Sequence, residues 1–414
     1  MLNQKKATLS RSKKTVPLPR ILKLTPEAIR DEMARIDVDP TGIDIMEGKS
    51  RHLLIRFDNI DLRAALILKQ DMLSLGGEAA LSRHAAGLSV DTTPVILMGT
   101  AKQVTRLADK LGDQPFGLDK IGNSLEILLE ENFRGRSFVV GDRDLLEDNN
   151  VLIIGVLNVT EDSFSDGGRF LEKEKAVQRG MDMLSEGADI IDVGGESTRP
   201  GSRSISVETE ASRVIPVIQD LARAGVQYIS TDTTKADVAR KALDAGATIV
   251  NDISAMTFDP EMPQVAADSG ASVFLMHTRG SPETMQEQID YEDLMGEVYN
   301  YLDQAVNRAK GVGIGKERIC VDPGIGFGKT TEQNIELIGR IGELRSLGTA
   351  VMVGASRKSF IGDILDLEVH ERLEGSLAAA VASVMCGADM VRVHDVAETL
   401  KAVRIAQRVA EWKA

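Results

Sequence analysis

The sequence predicts an α/β protein in which a TIM (β/α)8 barrel follows a small α/β domain. The first observation is length, since 414 residues accommodate a barrel of about 250 residues and a smaller unit. The second is a series of eight short apolar runs, rich in β-branched residues, that starts at Val151. The third is that stretches with helical spacing of apolar residues, ending at glycine, separate those runs.

The eight runs predict parallel strands, because an apolar character on both faces is typical of strands that helices cover on both sides. They are residues 151–159, 188–195, 226–232, 248–254, 272–278, 318–324, 350–356 and 390–396. A doubly wound open sheet is the alternative. Eight consecutive units without a long crossover favour a closed barrel instead.

Polar side chains stand at the ends of these runs. They are Asn158, Asp192, Asp232, Asn251, His277, Asp322, Ser356 and His394. The carboxyl ends of barrel strands gather at one mouth, where active sites lie. A single residue of this kind is an ordinary helix cap. Eight runs that all end this way predict the rim of an active site.

Residues 25–132 predict a separate small α/β domain to which we assign no function. Its predicted strands are residues 51–60 and 92–100, and its predicted helices are residues 61–75, 101–111 and 118–132. His52 and His84 are isolated there and are interpreted as surface or packing residues. The barrel unit is assigned residues 133–414. It begins with a hairpin around GDRD, within residues 133–146, that is expected to plug the bottom of the barrel.

Charge and composition exclude several classes of function. The net charge is −14, although residues 1–24 hold seven lysines and arginines and no acidic residue, so the rest of the chain is strongly acidic. An acidic body with 4% aromatic residues disfavours nucleic acid as a partner. We interpret residues 1–24 as a basic flexible tail. An organelle transit peptide is the alternative, although Pro17 and Pro19 interrupt any amphipathic helix there.

The sequence also argues against a membrane protein, a disulfide-stabilised scaffold and a cysteine zinc site. No apolar run reaches 18 residues, so no membrane span and no membrane partner are expected. The longest candidate, residues 377–388, is interpreted as a buried helix. Cys320 and Cys386 are too few for a disulfide scaffold or a four-thiolate zinc site, and a reducing cytoplasm is the expected compartment.

Two loops rich in turn formers follow the first two barrel strands. The first, NVTEDSFSDGG, begins at Asn158, whose amide oxygen suits a metal and whose amide nitrogen suits a phosphate. Phe164 in this loop suits the exclusion of water from a substrate, and Asp166 suits the stabilisation of positive charge. The second loop, GGESTRPGS, offers backbone N–H groups together with Thr198 and Arg199 to an anion. Each loop taken alone is also compatible with an ordinary surface loop.

The two loops, followed in order by STDTTKADVA, NDIS, FLMH, VDPGIGFGKT, VGASRKSFIG and VRVHDV, resemble the dihydropteroate synthases. The resemblance covers residues 133–414, and the ordered set of motifs carries it. It implies a transferase of the TIM-barrel class, often a homodimer, in folate biosynthesis. The implied reaction joins 6-hydroxymethyl-7,8-dihydropterin pyrophosphate to para-aminobenzoate and releases pyrophosphate with help from Mg²⁺. Competition by sulfonamides for the para-aminobenzoate site is also implied.

The resemblance also assigns residues to a pterin site. Asp232, Asn251 and Asp322 would bind the edge of the pterin ring, and Lys358 would reach its carbonyl and ring nitrogen. Met276 would pack on the ring, and the flat guanidinium of Arg392 would stack on it. Two blander interpretations remain open: Asp322 caps the turn of the DPG motif, and Lys358 is solvated.

The remaining implied sites surround the departing pyrophosphate and the second substrate. The implied pyrophosphate ligands are Asn158, Thr198, Arg199, Arg392 and His394, with Asn158 also a ligand of Mg²⁺. The implied para-aminobenzoate site consists of Phe164, Thr198, Pro200, Phe327 and Ser359. The implied catalytic residues are Asp166, Arg199, Lys358, Arg392 and His394. Because Arg392 and His394 alternate along one strand, their side chains point to the same side. An ion pair at the rim for the arginine and a hydrogen-bonded histidine are the alternatives.

Three competing functions are weighed against this one. A pterin-dependent corrinoid methyltransferase needs no pyrophosphate ligands, an inactive pterin-binding homologue predicts losses among them, and a generic phosphate-binding barrel leaves Asp232, Asn251 and Asp322 unexplained. Three features also depart from the family's usual pattern: Glu161 in place of proline, Thr278–Arg279 after the LMH motif, and the N-terminal domain.

Overall fold

The computed structural model describes residues 20, 22, 24, 26–133, 136–148, 150–160, 169–199, 201–287 and 289–412. Within these ranges an N-terminal three-stranded sheet with helices precedes a closed eight-stranded barrel. The fold class expected from the sequence is therefore confirmed. The basic segment 1–24 lies almost entirely outside the described residues. In the part of the chain that is described, no helix combines the length and the apolar character that a membrane span needs.

The N-terminal unit is an antiparallel sheet covered on one face by helices. Its helices are α1 (Pro26–Arg35), α2 (Pro40–Ser50), α3 (Leu62–Ser74), α4 (Arg83–Ala86), α5 (Ala101–Leu111) and α6 (Leu118–Phe133), and its strands are β1 (His52–Asp61), β2 (Glu78–Leu81) and β3 (Thr92–Thr100). The sheet order is β1-β3-β2. The side chains of Leu68, Leu97 and Leu107 are fully buried between the sheet and the helices.

Local signals explain why the two predicted strands and three predicted helices of this unit are present. The helix α3 starts where the side chain of Asp61 accepts hydrogen bonds from two backbone N–H groups, and α5 starts at a capping box between Thr100 and Gln103. The prediction omits α1, α2, α4 and β2. Both β2 and α4 span four residues, too few for a periodic pattern to identify them. His52 and His84 are exposed, as expected.

A short hairpin links the two units, formed by β4 (Val139–Val140) and β5 (Arg143–Asp144). Phe138, next to it, is fully buried and stacks on Phe274 inside the barrel, with 5.3 Å between ring centroids. The hydroxyl of Ser272 donates to the carbonyl of Val139 at 2.5 Å. The hairpin therefore closes the lower end of the barrel, as the sequence predicts.

The barrel consists of eight parallel strands in sequential order, closed between the last strand and the first. The strands are β6 (Leu152–Asn158), β7 (Ile190–Gly194), β8 (Ile229–Asp232), β9 (Ile249–Asp252), β10 (Ser272–Met276), β11 (Ile319–Asp322), β12 (Ala350–Val353) and β13 (Met390–Val393). The helices around them are α7 (Arg169–Glu186), α8 (Val207–Arg223), α9 (Ala236–Asp244), α10 (Met262–Asp268), α11 (Leu294–Gly311), α12 (Thr331–Arg340), α13 (Ser359–Leu365), α14 (Leu373–Met385) and α15 (Val396–Trp412). Each of the eight predicted runs contains one of these strands.

The helix expected over residues 377–388 is present but is not buried all round. It belongs to α14, which buries Ser376, Ala379, Ala380 and Ser383, while Met385 is 39% exposed. A helix on the outside of a barrel packs one face on the strands and leaves the other to solvent. Cys320 and Cys386 are both free thiols.

The interior of the barrel changes from apolar to polar along the strands. The lower layer contains Ile154, Ile190, Ile249, Phe274, Cys320, Met352 and Met390, all buried in one cluster with Phe138. Because side chains alternate along a strand, the next inward position lies two residues further on. On four strands that position is Asp192, Asn251, Asp322 or Arg392. The polar layer thus lies directly above the apolar one, towards the carboxyl ends of the strands.

We expect Phe138→Ala to destabilise the protein by about 3–5 kcal/mol, because it removes a fully buried ring and leaves a cavity beneath the barrel. The urea midpoint of unfolding, followed by circular dichroism, measures the effect. Phe258→Ala is the matched control, since that ring is 44% exposed. We expect it to lower the free energy of unfolding by less than about 1 kcal/mol. Equal losses in the two variants would contradict a plugging role for Phe138.

Candidate active site

A pocket opens at the carboxyl ends of the barrel strands. It is lined by Thr198, Asp232, Asn251, Ile253, Met276, Asp322, Ile325, Phe327, Met352, Gly354, Lys358 and Arg392. Eight of these residues are predicted site residues. They include the whole predicted pterin site: Asp232, Asn251, Met276, Asp322, Lys358 and Arg392. The structure therefore brings side chains from separate strands and loops together at one mouth.

Arg392 lies at the centre of this mouth, between two carboxylates. Its Nε donates to Asp192 Oδ2 at 2.6 Å and its Nη2 donates to Asp232 Oδ2 at 2.7 Å. Asn251 Nδ2 donates to the same Asp192 oxygen at 3.0 Å. The arginine is 20% exposed, Asp232 is 8% exposed and Asp192 is fully buried. These bonds connect β7, β8, β9 and β13 in one network.

Burial and charge act in opposite directions on this network. Burial raises the pKa of Asp232 to about 7, although Arg392 opposes the rise, and the neighbouring Asp192 adds to it. Burial alone would lower the pKa of the Arg392 guanidinium. The carboxylates of Asp192 and Asp232 outweigh that effect and raise its pKa, so the arginine stays charged. The ion-pair interpretation of Arg392 is therefore correct for the described structure, although the pair lies inside the mouth.

Asp322 both lines the pocket and caps a turn. Its Oδ1 accepts the N–H of Gly324 at 2.7 Å, which is the turn-capping interpretation of the DPG motif. Burial also raises the pKa of its carboxyl group. Gly324 has a positive φ, and a Cβ there would lie 2.0 Å from the backbone oxygen of His277. The turn therefore requires glycine to place Asp322 at the mouth.

Lys358 extends over the ring of Phe327, with Nζ 4.2 Å from the ring centroid. Burial lowers the pKa of its amine to about 8, and Arg392 lowers it further, while the carboxylates of Asp322 and Asp232 oppose the change. The lysine faces the pocket and is half-buried, so the solvated interpretation is wrong. Gly326, with a positive φ, lies beneath it, since a Cβ there would be 3.0 Å from Lys358 Cδ.

His394 lies at the end of β13, beside the pocket. Its Nδ1 is 3.0 Å from the hydroxyl of Ser356, which also accepts the backbone N–H of the histidine. Burial lowers the pKa of the imidazole to about 4, and Arg392 and Arg357 lower it further. The ring is therefore neutral at pH 7 and acts on an anion only through a hydrogen bond, not through charge. The hydrogen-bonded interpretation of His394 is correct in this structure.

The other predicted anion and second-substrate residues occupy different positions around the mouth. Asn158 is the last residue of β6. Its side chain lies near Gly194 and Asp232: a Cβ atom added to Gly194 would be 3.7 Å from Asn158 Oδ1 and 3.6 Å from Asp232 Oδ2. Thr198 and Phe327 line the pocket, whereas Arg199 and Ser359 are exposed and are not among its lining residues. Phe164, Asp166 and Pro200, like Glu161, lie outside the described residues.

His277 directly follows β10 at the mouth end of the barrel, as expected, but it is not among the residues that line the pocket. It is buried behind the wall, with Nδ1 3.0 Å from Lys329 Nζ and its ring edge-on to Tyr301 at 4.9 Å. Lys329 also donates to the carbonyls of Gly324 and Phe327, and burial lowers its pKa to about 7. This pair holds the DPGIGFGK loop from within, a role that periodicity does not predict.

Sequence reasoning also misses residues that support the mouth. The sequence marks Asp192 only as one of the eight polar residues at strand ends, and it predicts no specific role for it in the site. Ile253, Ile325 and Met352 line the pocket without any polar signal. The second loop is anchored by Lys235, whose Nζ lies 2.5 Å from Glu196 Oε2 and 2.6 Å from Glu210 Oε2.

The Thr278–Arg279 departure is accommodated in the fold. The guanidinium of Arg279 lies 3.7 Å from the centroid of the Tyr291 ring, and it also pairs with Glu297 at the start of α11. Tyr291 in turn donates to the carbonyl of Gly328 at 3.0 Å. The packing of this loop therefore depends on a cation–π contact and an ion pair.

Comparison with known proteins agrees with this geometry. A family model described as pterin binding enzyme matches residues 154–394. The chain is 46% identical over 261 residues to dihydropteroate synthase of Escherichia coli K12, covering 63% of this chain and 92% of the relative. It superimposes with a TM-score of 0.58 and 38% identity on a dihydropteroate synthase from Xanthomonas albilineans in complex with 7,8-dihydropteroate, covering 63% of this chain and 94% of that one.

A longer match includes the N-terminal unit. The chain is 40% identical over 385 residues to a probable bifunctional folylpolyglutamate synthase/dihydropteroate synthase of Halobacterium salinarum, which covers 91% of this chain. This chain spans 45% of that relative and 42% of a similarly described Haloferax volcanii protein. It therefore has less than half the length of these two relatives.

We expect Arg392→Ala to raise the pKa of His394 above about 4, because burial, which lowers this pKa most, remains, but the Arg392 charge that also disfavours the imidazolium is removed. An NMR titration of the imidazole protons, assigned with His394→Asn, measures the change. Arg340→Ala is the control, since that arginine pairs with Glu336 and Glu343 on the barrel's outer surface. An unchanged His394 pKa in Arg392→Ala would show that the two side chains are not coupled.

Proposed function

This chain belongs to the family of pterin-binding enzymes, and on that premise we propose that it is a dihydropteroate synthase. The reaction joins 6-hydroxymethyl-7,8-dihydropterin pyrophosphate to para-aminobenzoate and releases pyrophosphate. One observation carries the proposal: a single pocket holds the acceptors Asp232, Asn251 and Asp322 together with the cations Lys358 and Arg392. The acceptors suit the N–H groups along the edge of a pterin, and the cations suit the negative charge of a pyrophosphate.

The polar layer of the barrel suits the pterin ring. Carboxylates accept hydrogen bonds from adjacent amino and ring N–H groups, and Asp322 and Asp232 are buried enough for such bonds to be strong. The amine of Lys358 donates to the ring carbonyl and ring nitrogen. Met276, 5% exposed, provides an apolar surface for one face of the ring. In the described structure Arg392 donates a hydrogen bond to Asp232. A bound pterin ring would donate to Asp232 in its place.

The pyrophosphate then lies above this layer, at the carboxyl ends of β6 and β13. We assign it to Arg392, His394 and Asn158, with Thr198 and Arg199 of the second loop added from the other side. Arg392 supplies positive charge, and His394, neutral with a pKa of about 4, supplies a ring N–H. Positive charge aimed at the leaving group stabilises the transition state more than the ground state, which is the condition for faster reaction.

The proposed reaction breaks one bond and forms one. The bond between the exocyclic methylene carbon and the pyrophosphate oxygen breaks with its electron pair on oxygen, so the methylene becomes cation-like and delocalises into the dihydropterin. The para-aminobenzoate nitrogen attacks that carbon with its lone pair and then loses a proton to solvent. A neutral aniline nitrogen needs no strong general base. The two loops exclude water from the cation.

Five residues are assigned to the second substrate. Thr198 and Phe327 line the pocket, and Ser359, which is exposed, is the first residue of α13. Phe164 and Pro200 complete the set, and Asp166 is assigned to the stabilisation of the cation. Inhibitors of the sulfonamide class, which resemble para-aminobenzoate, are proposed to compete for this position.

We also propose that Mg²⁺ takes part, with Asn158 as its ligand from the protein. Among the described residues no group of three or more His, Cys, Asp and Glu side chains is placed to hold a metal. That fits Mg²⁺, which usually binds through one or two protein oxygens, waters and substrate phosphates rather than a full protein cage. Bound there, it would neutralise charge that develops on the pyrophosphate. The amide oxygen of Asn158, near Gly194 and Asp232, suits that position.

Cellular setting and assembly are proposed more broadly. We place the protein in the cytoplasm and propose a homodimer. The candidates for the dimer contact are exposed apolar side chains on and between the last three helices: Ile364, Leu365, Val369, Met385, Ile405 and Val409. A corrinoid methyltransferase and an inactive homologue remain the competing functions. The cations beside the pterin acceptors favour the synthase over both.

We expect purified protein to release pyrophosphate only when Mg²⁺, dihydropterin pyrophosphate and para-aminobenzoate are all present, with equal formation of dihydropteroate. Arg392→Ala should lower kcat/KM about 100-fold or more, because charge on the leaving group then lacks its arginine. Asp232→Asn should weaken binding of the pterin with or without its pyrophosphate. Asp237→Asn, an exposed carboxylate on α9, is the matched control and should keep normal turnover. Tight pterin binding without turnover would instead favour a methyltransferase or an inactive homologue.

We expect Asn158→Ala to raise the Mg²⁺ concentration for half-maximal turnover about tenfold, because an oxygen ligand is lost. Titration of Mg²⁺ at saturating substrates measures this value. Asn150→Ala is the control, since Asn150 is exposed and its side chain pairs with Arg404 at the other end of β6. The same Mg²⁺ requirement in both variants would remove Asn158 from the metal site.

A further inference from the structure

We infer that Asp192 is a positioning residue that fixes both Arg392 and Asn251 for the pterin pyrophosphate. The inference rests on the proposed function, because it concerns how the same pocket is held ready. Asp192 does not line the pocket itself. It belongs to the same polar layer as Asn251 and Arg392, and it acts through these two residues of the pocket wall.

The fold places Asp192 between the apolar layer and the mouth. It is the third residue of β7, two positions after the buried Ile190 and two before Gly194. Alternation along the strand therefore points its side chain into the barrel. There it is fully buried. A carboxylate at this depth has no access to solvent, so its effect on neighbouring groups is strong.

Among the described residues, the side chain of Asp192 accepts two hydrogen bonds, and both come from residues of the pocket wall. Its Oδ2 accepts Arg392 Nε at 2.6 Å and Asn251 Nδ2 at 3.0 Å. Holding Nε fixes the plane of the guanidinium, while Nη2 donates to Asp232 of the pocket wall. When a pterin replaces Arg392 as the hydrogen-bond donor to Asp232, the bond from Nε to Asp192 still keeps the guanidinium in place. Without Asp192, the arginine would depend on Asp232 alone and would compete with the pterin for it.

The same carboxylate sets the orientation of an amide. A carboxylate accepts hydrogen bonds and cannot donate, so Asn251 must turn its NH₂ towards Asp192. Its Oδ1 is then left for the pocket as an acceptor for pterin N–H groups. With asparagine at position 192 the preference disappears, because that side chain both donates and accepts.

Apart from its bonds to Arg392 and Asn251, the packing around Asp192 gives no reason for a carboxylate at this position. The other oxygen of Asp192, Oδ1, is buried and finds no hydrogen-bond partner among the described residues. Such an oxygen carries a desolvation penalty, and the layer below is filled by apolar side chains instead. The Asp192 charge also contributes to the raised pKa of Asp232, which points to an electrostatic role in the pocket. A carboxylate in this place serves its two ligand-facing partners.

The test compares Asp192→Asn with wild type and with Asp389→Asn. Asp389 is the matched control, since it is also buried, pairs with Arg345 and accepts the N–H of Val351, but lies at the opposite end of the barrel. We expect Asp192→Asn to lower kcat/KM for the pterin pyrophosphate about 10–100-fold, by analogy with the loss of a hydrogen-bond partner that orients a metal ligand. The KM for para-aminobenzoate should stay within about threefold. Asp389→Asn should lose stability and keep both constants.

Calorimetry supplies a readout that does not depend on turnover. Hydroxymethyl-dihydropterin without pyrophosphate probes Asn251, and inorganic pyrophosphate probes Arg392. We expect both to bind more weakly to Asp192→Asn. Wild-type affinities for both probes, or a loss of activity that only follows the unfolded fraction, would overturn the inference. If wild type itself releases no pyrophosphate, the proposed function fails, and the two binding comparisons still decide the role of Asp192.

A second variant guards against a folding defect. Asp192→Ser is smaller and uncharged, so it removes both the carboxylate and its unpaired oxygen. A folded Asp192→Ser protein should show the same two weakened affinities. If neither variant folds while Asp389→Asn does, Asp192 belongs to the stability of the barrel and the positioning role is wrong.

Discussion

The mouth of this barrel depends on one buried ion-pair network, in which Arg392 lies between Asp192 and Asp232. A guanidinium out of water is stable only where carboxylates replace its hydration, and each buried carboxylate needs the arginine for the same reason. Removal of one partner leaves an uncompensated charge. The network therefore couples three strands electrostatically, and it holds together the groups that face a ligand.

Beneath this network the barrel is an ordinary packed core. Phe138 and Phe274 close it from below, and the apolar layer excludes water from the base of the polar one. This exclusion lowers the local dielectric and strengthens every charged contact above. The hairpin plug and the reactive mouth are thus parts of one arrangement, since the polar layer needs a dry floor.

The surroundings of each basic residue at the mouth decide whether it carries a charge. Arg392 keeps its charge because two carboxylates contact it, whereas His394 is neutral because it is buried beside that arginine. Lys358 lies between these cases, with a pKa of about 8 that burial lowers and two carboxylates partly restore. Lys329, with a pKa of about 7, holds carbonyls of its loop rather than a ligand. Similar basic residues therefore have different roles because their surroundings differ.

The sequence by itself determined the eight strands and the set of polar residues at their ends. Strand periodicity and helix caps are local, so runs such as residues 151–159 and 390–396 carry their own signal. Motif order also brought Asp232, Asn251, Asp322, Lys358 and Arg392 into one predicted site. Only the tertiary structure decided which polar residues meet. It turned His277 behind the wall towards Lys329, left Arg199 and Ser359 exposed, and placed Asp192 in contact with Arg392. Those outcomes depend on barrel closure, which joins residues 200 positions apart, and no local pattern contains that information.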